Sequence, residues 1–391
     1  MGRKVYLDNA ATTFVSGEVL QEMLPCFNAI YGNSNSLHSF GRDASAIVDR
    51  ARDRIAHAIN TQKSNEIYFT SGGTEADNWA IKGIAHAYAS KGKHIITSSI
   101  EHHAVLDSCK QLEKEGFEVT YLPVDKFGIV NLADVIHAIR KDTILISIMA
   151  VNNEVGTIQN IKAIAKTAHD YNIIFHTDAV QAIGAFKIDV QDMEIDVMSM
   201  SAHKIYGPKG VGALYVKNGI LIENLFNGGN QERGKRGGTV NVPAVAGFGK
   251  AVEIACRDIS INQQKLKAIR DYFIKSVNEK IEYVQINGHP HQKINGTVNM
   301  SFEMAEAESL LMLLDLDGIA VSTTSACMSN ALEPSHVLRA MGLSDELAQS
   351  AIRFSFGKNL SKSDIDYVVE MLVKNVARLR SISALTKAGR K

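Results

Sequence analysis

Seven short apolar runs alternate with stretches of helical periodicity between residues 65 and 216, and this alternation constrains the fold more than any other feature. The runs are IYFTSG (67–72), HIITSS (94–99), VTYLPV (119–124), TILISIM (143–149), IIFHTD (173–178), DVMSMS (196–201) and VGALYV (211–216). Between them, stretches such as EADNWAIKGIAHAYASKG and IKAIAKTAHDYN repeat apolar residues at helical spacing. Helical crossovers make successive strands parallel, so the segment predicts an α/β fold with a mostly parallel, seven-stranded sheet covered on both faces. A long helical pattern follows from Pro243. The remainder, from about 260, mixes strands (GTVNMSF, IAVST, AIRFSFG) with helices (ESLLMLLDL, DIDYVVEMLVKNVARL) and predicts a smaller α+β domain.

The chain has 391 residues, which favours two domains over one core. Lys plus Arg and Asp plus Glu each number 42, so no net field favours a polyanion. Direct nucleic-acid binding is not expected. The first residues, MGRKVYLDNAATT, turn polar at once, and the longest apolar run, TILISIMAV (143–151), is far short of a membrane span. The four cysteines, Cys26, Cys109, Cys256 and Cys327, lie far apart with no CxxC pair. That spacing suits neither a disulfide framework nor a zinc site, and the expectation is a cytoplasmic enzyme without a metal.

In open α/β sheets ligands bind beyond the carboxyl ends of the strands. Those ends are chemically rich here: Gly72-Gly73-Thr74-Glu75, Glu101-His102-His103, Asn152-Asn153-Glu154, Asp178-Ala179-Val180-Gln181 and Ala202-His203-Lys204. Gly73 and Thr74 open a helix after a strand, the arrangement of an anion cradle, although many ordinary helices begin this way. Lys204, on a short turn before Gly207-Pro208, is placed to form a Schiff base with an aldehyde cofactor, where most lysines are merely solvated. Ser201 and His203 suit further phosphate contacts. Asp178 could pair with a protonated pyridine nitrogen or serve only as a turn residue. His102 could stack on a ring and move protons, or be structural.

Two further candidates lie in the second half. Cys327 sits among Ser, Thr and Asn in STTSACMSNALEPSHVLRA, a polar loop where a thiol is a candidate nucleophile. The other cysteines fall in helical patterns or beside Pro25 and read as structural. Arg353 alternates with apolar residues in AIRFSFG, so it must pair with a substrate carboxylate or with an internal acid. The Gly-rich stretch 227–239 is either a surface loop or a reach toward a neighbouring subunit's phosphate.

Taken in order, YLDNAATT (6–13), YGNSNSLHSFGR (31–42), TSGGTEADNWAIKG (70–83), EHHAVL (101–106), VNNEVGTIQ (151–159), HTDAVQAIG (176–184), SAHKIYGPKGVGALYV (201–216), ERGKRGGT (232–239), SACMSNALEPSHVLRAMG (325–342) and IRFSFG (352–357) resemble the NifS/IscS-type cysteine desulfurases. These are class V, fold-type I pyridoxal-phosphate enzymes. The resemblance implies a large cofactor-binding domain over residues 15–257 and a small domain from 1–14 and 258–391, with a mobile active-cysteine loop at about 322–334. It implies Lys204 as the pyridoxal 5'-phosphate anchor and base, Asp178 at the ring nitrogen, and Gln181 and Asn153 at the ring hydroxyl. His102 would stack and act as acid or base. Gly73, Thr74, Ser201 and His203 would hold the phosphate, with Thr239 supplied by the second subunit of a homodimer. Arg353, with Asn33 and Asn153, would hold the substrate L-cysteine, and Cys327 would take its sulfur as a persulfide for an acceptor protein in iron–sulfur assembly or tRNA thiolation. The loop length resembles the IscS-like group, although the run before the cysteine, STTSA, departs from the usual pattern. The alternatives are another class V enzyme, a selenocysteine lyase or transaminase, or a non-catalytic sulfur-transfer scaffold.

Overall fold

The computed structural model describes residues 3–323 and 334–382. Among these the strands are β1 (Val5–Tyr6), β2 (Ile67–Thr70), β3 (His94–Ser98), β4 (Glu118–Leu122), β5 (Thr143–Ser147), β6 (Ile174–Asp178), β7 (Val197–Ser201), β8 (Gly212–Val216), β9 (Val284–Asn287), β10 (Thr297–Phe302), β11 (Ile319–Ala320), β12 (Ser322–Thr323) and β13 (Ala351–Ser355). The seven apolar runs form one sheet in the order β2-β8-β7-β6-β5-β3-β4. Only β8 runs against the others, pairing antiparallel with β2 and β7. The α/β expectation is borne out, and the connection from β4 to β5 passes back over β3, where the direction of strand addition reverses.

Side-chain alternation divides each strand between two cores. Ile95, Leu145, Ile174, Val197 and Leu214 pack under the helices Gly73–Ala87 and His103–Lys114, with Trp79, Ile84, Val105 and Leu112. Their neighbours Ile96, Ile146, Phe175, Met198 and Ala213 face the opposite core, with Val48 and Ile55 of the helix Ser39–Ala58 and Val245 and Phe248 of Val242–Arg257. The Asn241 side chain caps the latter helix through the Ala244 N–H, with Pro243 in its first turn.

A second sheet, ordered β12-β13-β10-β9 and antiparallel throughout, packs on the helices Ile259–Lys280, Ala307–Leu316 and Lys362–Ile382. Its core joins Phe273, Phe302, Phe354, Leu310 and Leu372 to Val5 and Leu7 from the start of the chain. Two details differ from the sequence pattern. IAVST reads as one strand, but β11 pairs in parallel with β1 whereas β12 pairs with β13, and the chain changes partner at Val321. β9 escapes the pattern because its short VQIN run is only partly buried. No helix among the described residues is long and apolar enough to cross a membrane.

Candidate active site

The carboxyl ends of β3, β5, β6 and β7 converge, and the lysine stands at their edge. β7 ends at Ser201, and a single turn, Ala202–Lys204, follows. Lys204 Nζ donates to the carbonyls of Ala10 (2.6 Å) and Ala11 (2.8 Å), and Gln181 Nε2 donates to the same Ala10 carbonyl at 3.0 Å. Thr13 Oγ1 donates to the His203 carbonyl at 2.9 Å, and His203 Nδ1 lies 3.1 Å from Thr12 Oγ1. Segment 10–13 is thus tied to the lysine turn at each of its four residues, Ala10 and Ala11 through their carbonyls and Thr12 and Thr13 through their hydroxyls.

Asp178 ends β6, and its Oδ1 accepts the Val180 N–H at 2.8 Å. Burial pushes its carboxyl up to about 6, while the Val180 N–H and the Lys204 charge act the other way. His102 caps the helix His103–Lys114, its Nδ1 accepting the Ala104 N–H at 3.1 Å. Burial, then the Lys204 charge, push it down to about 4, so the imidazole is neutral with its proton on Nε2. His203 is likewise pushed down to about 4 by burial and by Lys204.

An anion cradle lies between the helix Gly73–Ala87 and β7. The Ser201 hydroxyl is buried and has no hydrogen-bond partner among the described residues. A Cβ on Gly73 would stand 2.8 Å from Val180 Cγ2 and 3.6 Å from Ser201 Cβ, so this helix start must be bare to sit here. Free N–H groups at Gly73 and Thr74, an unsatisfied hydroxyl and neutral His203 together suit a phosphate.

Arg353 extends from β13 with its side chain 9% exposed. Nη2 pairs with Asp8 Oδ1 at 3.0 Å, Nη1 donates to the Asn153 carbonyl at 3.1 Å, and Nε is buried without a partner. Opposite Arg353 in register stands Ser322 of β12. Cys327 and most of the 322–334 loop lie outside the described residues. On the far side of that segment, Ser335 donates to the buried Glu154 carboxylate at 2.5 Å, and His336 Nε2 lies 3.0 Å from the Glu101 carbonyl.

The structure does not bring every candidate together within one chain. Asn33 is exposed, its Oδ1 accepting the Asn35 N–H at 3.0 Å. Thr239 is exposed and lines a separate cavity with Arg236, Gly238 and Gly210. Several acids at the site carried no assigned role in the sequence: Asp8, Asp77, Glu101 and Glu154. Their signal was present as charged letters inside apolar or strand-end runs. The remaining described cysteines are poor nucleophiles, because burial pushes Cys109 up to about 12, Cys256 up to about 11 and Cys26 upward.

A family model described as "Aminotransferase class-V" matches residues 5–368. The chain belongs to the class V aminotransferase family. Among curated relatives, "Cysteine desulfurase IscS" of Clostridium botulinum is 51% identical over 387 residues, covering 98% of this chain and 97% of that protein. Among solved structures, a "NIFS-LIKE PROTEIN" superposes with a TM-score of 0.91 at 37% identity, over 96% of this chain and 100% of the other. A second, "SspA in complex with cysteine", gives 0.81 at 38% identity, over 90% and 99%. The NifS/IscS resemblance read from the motifs is borne out.

Proposed function

We propose that this chain is a pyridoxal-phosphate-dependent cysteine desulfurase that converts L-cysteine to L-alanine and carries the sulfur as a persulfide on Cys327. The observation that carries it is the meeting of Lys204, buried Asp178, neutral His102 and the unpaired Ser201 hydroxyl at one end of the large sheet. The residues present fit the cofactor: Gly73, Thr74, Ser201 and His203 for its phosphate, with Thr239 from a second copy in a homodimer, and Asp178 for its ring nitrogen. Gln181 and Asn153 would meet the ring hydroxyl. Bound through its aldehyde to Lys204, pyridoxal 5'-phosphate supplies an electron-withdrawing ring that acidifies the Cα–H of a joined amino acid.

The chain's own groups do the rest. Arg353 binds the substrate carboxylate through its fork, with Asn33 and Asn153 beside it. Lys204 Nζ would act as the base for the Cα proton, and His102 Nε2 would hold or return a proton at the same site. The Cys327 thiolate then attacks the substrate sulfur. An S–S bond forms, the substrate C–S bond breaks, and its electron pair stays with the carbon fragment, which takes a proton and leaves as alanine. The persulfide passes to an acceptor protein in iron–sulfur assembly or tRNA thiolation. Borohydride reduction of the loaded enzyme, followed by peptide mass spectrometry, is expected to fix the cofactor on Lys204. Brief exposure to cysteine is expected to add one sulfur to the peptide bearing Cys327. A Cys327→Ser variant that still releases sulfide or persulfide sulfur from cysteine would overturn the persulfide assignment.

A further inference from the structure

Beneath the candidate site, on the sheet face covered by the helix Gly73–Ala87, the apolar core gives way to a polar nest. Ser147, His176, Asp178 and Ser199 occupy alternate positions on β5, β6 and β7, in line with Leu145, Ile174 and Val197 below them. His176 Nδ1 lies 2.8 Å from Ser147 Oγ and His176 Nε2 lies 3.0 Å from Ser199 Oγ. Ser199 stands beside Asp178 in the parallel register. From the covering helix Asp77 projects onto this group. It is 1% exposed, its Oδ1 has no hydrogen-bond partner, and that oxygen is 3.9 Å from His176 Nε2. The proposed reaction uses neither Asp77 nor His176.

Three buried carboxyls meet here: the charges of Asp178 and Glu101 bear on Asp77 and that of Asp178 on Glu101, with His176 and His102 neutral and Lys204 as the cation acting on Asp178. Like charges in a dry interior repel too strongly for all three acids to ionise together. Burial raises all three: Asp178 to about 6 against Lys204 and the Val180 N–H, Glu101 to about 8, and Asp77 well above its usual range. The Asp178 charge pushes Asp77 further up, and only a hydrogen bond with Ser199 opposes it. Asp178 alone has the lysine to stabilise its charge.

We propose that Asp77 is a positioning residue for Asp178: a buried neutral acid that, through Ser199 and His176, fixes the site's negative charge on the carboxylate facing the cofactor ring. This role rests on the proposed pairing of Asp178 with the ring nitrogen. The neutral acid donates to Ser199, Ser199 donates to His176 Nε2, and His176 Nδ1–H is left for Ser147 Oγ, so that the protons of Asp77, Ser199 and His176 each have an acceptor.

Holoenzyme of the wild type, Asp77→Asn, Asp77→Ala and Ser199→Ala is compared by pH titration of bound-cofactor absorbance and by difference infrared spectroscopy. Asparagine imitates a neutral acid, so Asp77→Asn is expected to keep the absorbance midpoint within about 0.3 unit of wild type. The wild-type-minus-Asn spectrum is expected to contain the C=O stretch of a protonated carboxyl. Asp77→Ala and Ser199→Ala break the row and are expected to move the midpoint by about one unit. A midpoint shift of a unit or more in Asp77→Asn, or a missing carboxyl band, means that Asp77 is ionised and overturns the proposal. Unmoved midpoints in both alanine variants overturn it as well, and Ser199→Ala decides the matter if Asp77→Ala fails to fold. Failure of the underlying site assignment looks different: borohydride then leaves no cofactor on Lys204 of the wild type.

Discussion

Arg353 Nη2 and Asp8 Oδ1 form a 3.0 Å ion pair between residues 345 positions apart. The pair ties β13 to the segment that leads on to Ala10 and Ala11, the acceptors of Lys204. The internal acid takes one nitrogen of Arg353 and the Asn153 carbonyl another, while Nε is buried without a partner.

Replacing Arg353 with Lys keeps the charge and removes the fork. A lost charge-assisted hydrogen bond costs about 1.5–3 kcal/mol, so KM for cysteine is expected to rise roughly 10- to 100-fold with a smaller change in kcat. Steady-state alanine formation measures the split. An unchanged KM would remove Arg353 from the substrate site.

Glu101 makes stability depend on pH in a definite direction. Burial pushes its carboxyl up to about 8, against hydrogen bonds from Ser98 Oγ (2.6 Å) and the Met149 N–H (3.0 Å). With the folded value above the ordinary 4.5, the folded state binds the extra proton between pH 4.5 and 8, and stability falls as pH rises through that window. Glu101→Gln cannot ionise. Its melting temperature relative to wild type is therefore expected to improve steadily from pH 5 to pH 8, at up to about 1.4 kcal/mol per pH unit. A difference that stays flat over this range would show that Glu101 titrates normally.

Thiol reactivity is expected to single out Cys327. Cys26, Cys109 and Cys256 are all held in the protonated form by burial. Iodoacetamide at neutral pH should label the Cys327 peptide first, and a Cys26→Ser, Cys109→Ser, Cys256→Ser triple variant should still load one sulfur. Mass spectrometry reads both outcomes, and prior labelling of Cys109 would contradict the burial argument.

Phe273 is the keystone of the second core, 4.9 Å from the Phe354 ring and 5.4 Å from that of Phe356. Phe273→Ala is expected to cost about 3–5 kcal/mol in denaturant unfolding. Since Phe354 adjoins Arg353 on β13, a weakened affinity for cysteine should accompany the loss, with cofactor absorbance retained.

Much of the architecture was legible because it is written in local periods. IIFHTD and DVMSMS announce strands that end in polar letters, and the rule that ligands gather at such ends led to Asp178 and Lys204 directly. What the sequence hid was relational. The partner change at Val321 depends on which strands flank it, since IAVST is uniformly β-forming. Asp77 looks like one more charge on a helix, and only the register of β5, β6 and β7 shows that it faces His176. Thr239 and Asn33 are exposed in the single chain, so no periodicity within it could place them.

Alternation along β6 also limits how such a protein can vary. Phe175 and Thr177 face one core while His176 and Asp178 face the other. Deleting or inserting one residue would drop the histidine and the aspartate among Met198 and Met200 and turn Phe175 and Thr177 into the polar nest. Lineages carrying this site can therefore diverge by exchanging letters but not by changing the length of its strands, and tolerated insertions should collect in the helices and surface turns.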